Sequence, residues 1–200
     1  MVDAEVILLA LTVLKRFGLK DLKLKINSVG CPNCRPQHRK LLQDYFRPHL
    51  DELCEDCQSR FDRSRCGFWT ARWMRISLHG RCPQDHRHLC DECRAHFETV
   101  KKLLDEAGVE YEVDSNLVRG LDYYTKTAFE IQYAPLGAQS AVGGGGRYDG
   151  LVEELGGPST PGVGFAIGLE RILLAMENRT CCPPARKPWT FSPSSLMKEA

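Results

Sequence analysis

Paired cysteines are the first residues in this sequence whose type and spacing could do chemistry. Six of the ten cysteines form three Cys-x-x-Cys pairs, namely Cys31/Cys34, Cys54/Cys57 and Cys90/Cys93. Two thiolates separated by two residues in a turn can occupy two corners of a zinc tetrahedron, with Zn–S distances of about 2.3 Å. Two pairs complete one site, and the spacing does not show which pairs meet. Reduced, partly buried thiols are the alternative to bound zinc.

Arginines that stand near tyrosines and glycines form the second group, and they occur in three segments. LVRGLDYYT places Arg119 close to Tyr123 and Tyr124, GGGGRYDGL places a run of four glycines before Tyr148, and GVGFAIGLER leads into a helix whose first turn carries Arg171. An arginine fork can grip phosphate oxygens with two hydrogen bonds, and tyrosines offer walls and hydroxyls to a small polar ligand. Glycines leave a bare backbone against which a flat ligand can lie. Taken singly, the first segment has a surface arginine beside a strand aromatic pair as its alternative, the second a flexible loop and the third ordinary strand packing.

The hydrophobic pattern predicts the elements that must position these residues. Residues 3–17 have the spacing of an amphipathic helix, with apolar positions at Val6, Leu9, Ala10, Val13, Leu14 and Phe17. Alternation at Leu22, Leu24 and Ile26 predicts a strand with one face on a core, ending at Gly30. Further helices are predicted within residues 36–48, 88–107, 147–155 and 168–178, and strands at 109–113, 127–133, 140–146 and 162–167. This order predicts an α+β fold with an antiparallel sheet rather than alternating βαβ units.

Composition and charge narrow the class of protein. With 200 residues, 42% of them hydrophobic and 26% charged, the chain can bury a core and is neither collagen-like nor wholly disordered. A net charge of +1 argues against binding nucleic acid by bulk electrostatics, so any such contact must be local. No apolar run reaches the roughly 18 residues of a membrane span, and the apolar start lacks the features of a secretory signal. We therefore expect a cytoplasmic protein with no membrane partner.

The three glycine- and arginine-containing segments together resemble the two histidine-specific signatures and motif 3 of the histidyl-tRNA synthetases, which are class II aminoacyl-tRNA synthetases. The likeness covers residues 2–60 and 88–179 and includes the KINSVG segment and the three cysteine pairs, which are similar to a bacterial form. The resemblance implies an ATP-dependent ligase that forms histidyl-adenylate, with Mg²⁺ as cofactor, and then transfers the histidyl group to tRNA-His. It also implies a homodimer.

The resemblance implies a role for individual residues. Arg119 matches the catalytic arginine that stabilises charge on the α-phosphate as the histidine carboxylate attacks. Arg171 matches the motif 3 arginine that clamps ATP. The residues that match the histidine site are Tyr123, Tyr124, Tyr148, Gly144 and Gly145, the two glycines as a bare strand along the ligand.

The same resemblance divides the chain into four segments. Residues 1–30 match a catalytic-domain fragment, residues 31–107 a helical, cysteine-rich insertion near the tRNA acceptor stem, and residues 108–179 the catalytic core. We expect residues 180–200, which have no counterpart in the family, to be an unstructured tail. Motif 1, motif 2 and the anticodon-binding domain do not occur in the sequence, so we expect a fragment truncated at both ends that does not aminoacylate tRNA alone. The competing interpretations are a histidine-binding regulatory paralogue and a zinc-stabilised module that contacts tRNA.

Residues 64–87 and 180–200 share nothing with the family, although the sequence on both sides of the first stretch does. Codons that encode residues 64–75 can spell PLRVLDCKVDE when they are read from their third base, and the family has a similar segment at this place. Residues 180–200, read in the same way, permit a sequence that resembles the start of the anticodon-binding domain. We therefore predict that both stretches are read out of frame.

Overall fold

The computed structural model describes residues 1–48, 58, 89–115, 117 and 123–177. The first helix, α1 (Val2–Arg16), is followed by β1 (Leu22–Gly30) and α2 (Arg35–Phe46). After a gap in the described residues come α3 (Asp91–Glu106), β2 (Tyr111–Val113), β3 (Thr125–Tyr133) and a 3-10 turn (Ala134–Gln139). The remaining elements are β4 (Ala141–Arg147), α4 (Leu151–Glu154), β5 (Val163–Ile167) and α5 (Leu169–Glu177).

The five strands form one sheet in the order β2-β1-β3-β4-β5. The pairs β1–β3, β3–β4 and β4–β5 are antiparallel, as the sequence predicts. The short edge strand β2 is the exception, because it runs parallel to β1. Parallel neighbours need a crossover connection, and the chain between β1 and β2 is long enough and includes α3. The predicted antiparallel sheet is therefore confirmed for the other three pairs and is wrong for β2.

The main core lies on one face of the sheet. Leu24 pairs with Ile131 and Ile26 with Phe129, and all four side chains are buried against α1 and α3. The alternation predicted for β1 is confirmed at these positions. It ends after Ile26, because Asn27 and the residues that follow it are also buried. The Asn27 side-chain amide donates to the carbonyl of Leu117 at 3.1 Å, which satisfies a polar group that burial would otherwise penalise.

The face of α1 that meets the sheet agrees only in part with the predicted stripe. Ala10 and Leu14 of that stripe are buried, whereas Leu9 and Phe17 are 54% and 42% exposed. The buried face also carries Asp3 and Ile7, which the stripe did not include. The helix is apolar around most of its circumference, so the spacing of apolar residues does not select one face. Partners from the sheet hold the charged side chain of Asp3 on the buried face, and the periodicity of α1 does not identify those partners.

One predicted helix is much shorter in the structure than in the prediction. The helix predicted at residues 147–155 is only one turn, Leu151–Glu154, because Arg147 is the last residue of β4. The other elements predicted within the described ranges occur close to their predicted places. Among the described helices, none has both the length and the apolar character needed to cross a membrane.

Candidate functional site

Tyr148 directly follows β4, and two glycines of the neighbouring strand region make room for its ring. A Cβ atom on Gly162 would lie 2.4 Å from the ring of Tyr148, and one on Gly164 would lie 3.1 Å from its hydroxyl oxygen. The backbone N–H of Tyr148 donates to the carbonyl of Gly162 at 2.8 Å. Real Cβ atoms do not approach another carbon to 2.4 Å, so a larger residue at position 162 would displace the ring. The first two glycines of GVGFAIGLER therefore make room for Tyr148.

Tyr123, Tyr124 and Tyr148 form a group of aromatic rings, although they come from two separate segments. The ring centroids of Tyr123 and Tyr124 are 4.8 Å apart, and those of Tyr123 and Tyr148 are 6.1 Å apart with the rings nearly perpendicular. Edge-to-face contacts at these distances are favourable for aromatic pairs. All three side chains are half-buried. The structure thus brings together the three tyrosines to which the resemblance gives a role in a histidine pocket.

The four glycines at 143–146 belong to β4, so they do not form a flexible loop. Successive strand residues face opposite sides of the sheet. Gly143 pairs with Ile131 and Ile167, and Gly145 pairs with Phe129 and Phe165, which places both glycines on the core face. A Cβ atom on Gly145 would lie 2.1 Å from the carbonyl oxygen of Gly164. On this face the glycines admit neighbouring strands and large side chains.

Gly144 and Gly146 lie on the opposite face of the same strand. A Cβ atom on Gly146 would lie 2.8 Å from the ring of Tyr124, and Gly146 pairs with Gly164, which lies under Tyr148. This face therefore carries the tyrosine group. Of the two glycines predicted to lie along a ligand, Gly144 is on the tyrosine face and Gly145 is on the core face. The signal was available in the sequence, because a period of two cannot place adjacent residues on one side.

Arg171 lies in the first turn of α5, and its side chain is tied to the start of β4. Its Nε donates to the carbonyl oxygen of Ala141. A Cβ atom on Gly168 would lie 3.2 Å from Cγ of Arg171, so the glycine lets the side chain pass close to the backbone. Arg119, the predicted catalytic residue, lies outside the described residues, as do Cys54 and Cys57.

Asp3 is the centre of a polar network that the sequence analysis did not identify as part of a site. Its buried carboxylate accepts hydrogen bonds from the hydroxyl of Thr127 at 2.6 Å and from Nε of Arg147 at 3.2 Å, with a second, shorter bond from Nη2 of Arg147. Nε2 of His96 lies 2.8 Å from the same carboxylate. Arg147 also donates to Asp149 at 2.9 Å. Tyr148 stands between these two residues, so the network fixes the backbone that carries it.

The electrostatics of this network favour the ionised forms. Burial opposes the charge of Asp3, but hydrogen bonds from His96, Arg147 and Thr127 outweigh it and hold the pKa of that carboxyl well below its ordinary value. The hydrogen bonds that Arg147 donates to the Asp3 carboxylate in turn raise the pKa of Arg147. One signal could have pointed to Asp3, because it stands on the same helix face as Ile7, Ala10 and Leu14. An acidic residue on an apolar face needs a cationic or hydrogen-bonding partner.

Two of the three cysteine pairs meet in the structure. The Sγ atoms of Cys31, Cys34, Cys90 and Cys93 all lie within 4.8 Å of one another. None of the four is in a disulfide. Burial opposes ionisation of Cys31, but hydrogen bonds from the backbone of Cys34 and Asn33 lower its pKa to about 7. Burial and the neighbouring thiols raise the pKa of Cys93. The four sulfur atoms could hold a metal ion.

Comparisons with known proteins give a consistent result. A sequence profile described as histidyl-tRNA synthetase matches residues 80–172. The histidine–tRNA ligase of Desulforamulus reducens is 55% identical over 179 residues, which cover 89% of this chain and 43% of the relative. That of Caldanaerobacter subterraneus is 54% identical over 180 residues, covering 88% of this chain and 42% of the relative. The crystal structure of the apo S. aureus histidyl-tRNA synthetase is 42% identical, with a TM-score of 0.73 over 92% of this chain and 45% of that one. The chain thus spans less than half the length of these relatives.

Proposed function

Since this chain is a homologue of the histidyl-tRNA synthetases over about 43% of their length, we propose that it forms the histidine-binding part of a histidine–tRNA ligase active site. In this proposal the substrates are L-histidine, ATP and tRNA-His. The reaction joins the histidine carboxylate to the α-phosphate of ATP and releases pyrophosphate. Transfer of the histidyl group to the tRNA then releases AMP.

The single observation that supports this proposal best is the tyrosine group on the face of the sheet that carries Gly144 and Gly146. Tyr123 and Tyr148 meet edge to face, and Tyr148 is fixed over Gly162 and Gly164. Half-buried phenol rings above a strand without side chains form an aromatic surface with hydroxyl groups. An imidazole ring is flat, partly apolar and carries a hydrogen-bonding nitrogen at each side, so it matches such a surface.

The two predicted arginines have complementary roles in the proposal. Arg119 stabilises the negative charge that develops on the α-phosphate, because a guanidinium keeps its charge and holds two oxygens at once. Arg171 contacts ATP from the first turn of α5, where its side chain is tied to Ala141. Mg²⁺ neutralises phosphate charge in the same reaction. A homodimer, and a cytoplasmic location, belong to the same proposal.

Equilibrium binding of L-histidine to the purified chain tests the histidine site. We expect saturable binding that discriminates against other amino acids, and a loss of at least about tenfold in affinity, or about 1.4 kcal/mol, in Tyr148→Ala. The control is Leu155→Ala, because Leu155 lies nearby on the chain but is 80% exposed. Circular dichroism shows that each variant is folded. Equal histidine affinity in the wild type and in a folded Tyr148→Ala variant would exclude the proposed pocket.

A second ligand separates the ligase from a histidine-binding regulatory protein. A non-hydrolysable sulfamoyl analogue of histidyl-adenylate contains both the histidine and the AMP portions. We expect Arg119→Ala to weaken binding of the analogue by at least about tenfold while changing histidine binding little. A regulatory paralogue needs only the histidine site. Unchanged affinity of Arg119→Ala for both histidine and the analogue would therefore favour that alternative. Pyrophosphate exchange dependent on histidine, ATP and Arg119 would demonstrate adenylation directly.

A further inference from the structure

We propose that Cys31, Cys34, Cys90 and Cys93 bind one zinc ion in a closed four-thiolate site that joins the end of β1 to the start of α3. The sequence alone left three ways to combine the cysteine pairs, and the fold brings these two together. The proposal goes beyond the proposed function, because it concerns a metal site whose four ligands do not include the tyrosines or the arginines of that proposal.

The positions of the four cysteines suit metal binding. Cys31 directly follows β1, and Cys34 is the cap residue of α2. Cys90 is the cap residue of α3, and Cys93 lies in its first turn. Each pair therefore occupies a short turn at the end of an element, where two side chains three residues apart can point to one centre. The two turns face each other although they are 59 residues apart along the chain.

The distances between the sulfur atoms match a zinc tetrahedron. A tetrahedron with corners about 2.3 Å from its centre has edges of about 3.8 Å. The Sγ atoms of Cys31 and Cys34 are 3.7 Å apart, those of Cys31 and Cys90 are 3.8 Å apart, and those of Cys34 and Cys93 are 4.0 Å apart. All four sulfur atoms lie within 4.8 Å of one another, so a small movement places all four at the corners.

The surroundings distinguish a metal site from ordinary packing of thiols. The four cysteines form a cluster of their own with Leu89, separate from the main core. Apart from Leu89, the described cluster consists of thiols and so has little apolar surface of its own. Zinc would add stability at this junction, because metal bound only by the folded state adds its binding free energy to folding.

The backbone is shaped around one of the sulfur atoms. The N–H of Cys31 donates to Sγ of Cys34 at 3.1 Å, a hydrogen bond that would satisfy a metal-bound thiolate. Gly30 has a positive φ of 71°, and a Cβ atom there would lie 2.7 Å from the same Sγ. Gly30 is therefore needed both for its conformation and for the close approach of the backbone to Cys34. This constraint is independent of the distances between the sulfur atoms.

Four thiolates favour zinc and give it a structural role. Soft sulfur ligands in a tetrahedral arrangement select zinc over magnesium or calcium. Four protein ligands leave no open position for water or substrate, which distinguishes structural from catalytic zinc. By joining β1 to α3, the ion would hold His96 of α3 near Asp3. It would thereby support the hydrogen-bond network of Asp3, whose member Arg147 directly precedes Tyr148.

The experiment uses the whole 200-residue chain, purified in a reducing buffer and dialysed against zinc-free buffer. Elemental analysis by mass spectrometry is expected to find about one zinc ion per chain. Cys31→Ser/Cys34→Ser is expected to lose it, whereas the matched control Cys54→Ser/Cys57→Ser is expected to retain it. Less than stoichiometric zinc in the wild type, iron in its place, or loss of zinc only in the control would overturn the proposal.

Two measurements on the wild-type chain avoid dependence on a variant that fails to fold. Alkylation followed by peptide mapping is expected to leave Cys31, Cys34, Cys90 and Cys93 protected until a strong chelator is added. Replacement of zinc by cobalt is expected to give the intense absorption of tetrahedral cobalt with four thiolates. Full alkylation of these cysteines without chelator would overturn the proposal. Histidine binding is measured separately, so failure of this proposal and failure of the proposed function are distinguishable.

Discussion

Asp3 joins three elements through one carboxylate. Its hydrogen-bond partners are Thr127 of β3, Arg147 of β4 and His96 of α3. The carboxylate is fully buried, and the side chain of Arg147 is only 16% exposed. Removal of one partner from a buried ion pair leaves the other charge without compensation, which costs more than the pair itself contributes.

Replacement of Asp3 by asparagine is therefore expected to be strongly destabilising. Asp3→Asn keeps the shape of the side chain but leaves the guanidinium of Arg147 with only Asp149 as an acidic partner in the described network. We expect the free energy of unfolding to fall by about 3 kcal/mol, measured by urea denaturation. Glu5→Gln is the matched control, because Glu5 lies in the same helical turn but is exposed. A change below about 1 kcal/mol in Asp3→Asn would show that the network is not an important source of stability.

The same carboxylate predicts a dependence of stability on pH. Its pKa is lowered in the folded state, so the unfolded chain binds a proton to Asp3 at a higher pH than the folded chain does. The stabilisation is thus fully present above the ordinary aspartate pKa of about 3.9 and is lost as the pH falls below it. We expect the difference in unfolding free energy between the wild type and Asp3→Asn to be constant from about pH 7 to pH 5 and to shrink toward pH 3. A difference that stays constant over the whole range would contradict this assignment.

Residues differ in how far the sequence reveals their roles. Tyr123, Tyr124, Tyr148 and Arg171 lie in short motifs, so their types and spacing could be identified without a structure. The partners of Asp3 could not be predicted, because His96 and Arg147 are 93 and 144 residues away along the chain. The network arises only when α1, α3 and β4 pack together. Local patterns identify motif residues, whereas the fold determines which distant side chains support them.

At the scale of the element, β4 uses its glycines on both faces. Gly143 and Gly145 allow Ile167 and Phe165 of β5 to pack closely on the core face, while Gly146 makes room for Tyr124 on the other. A strand interior usually disfavours glycine, because glycine offers no side chain to pack. Here close contacts on both faces exclude larger residues. Close packing of β4 against its neighbours therefore requires this run of glycines, which is also part of the candidate site.

A matched pair of alanine substitutions tests this explanation. A Cβ atom on Gly145 would lie 2.1 Å from the carbonyl oxygen of Gly164, so β4 and β5 must separate locally in Gly145→Ala. We expect a loss of about 2 kcal/mol in the free energy of unfolding, measured by urea denaturation. Gly150→Ala is the control, because nothing lies within 4 Å of a Cβ atom at Gly150. Equal stability of the two variants would show that the strands tolerate a side chain at position 145.

The elements themselves could be predicted better than their arrangement. The α+β fold class and the relation to the histidyl-tRNA synthetases are confirmed by the similarity to the S. aureus structure. The face of α1 was predicted only in part and the direction of β2 was not predicted correctly, and both depend on long-range contacts. β2 has only three residues, so its own sequence carries little information about its partner. Its parallel pairing with β1 follows from the path of the chain through α3.

At the scale of the whole molecule, the described strands on both sides of the long gap in sequence belong to one sheet. β1 precedes the gap and β3 follows it, yet they pair along most of their length. The relatives align with 89% of the chain, so the likeness extends over most of it. Among the described residues, α3, which lies in the proposed segment 31–107, packs its Phe97, Val100 and Leu104 into the same core as the sheet.

The stretches 64–87 and 180–200 lie outside the described residues, and the prediction made for them concerns the gene. If they are read out of frame, the DNA that encodes residues 64–75 must spell PLRVLDCKVDE from the third base of its codons. Codon degeneracy permits many other strings, so a match at every position is a demanding test. We expect sequencing of the gene to give this string and a synthetase-like continuation for residues 180–200. DNA that encodes unrelated residues in both alternate frames would rule out the frame shift, and the two stretches would then be genuine departures from the family.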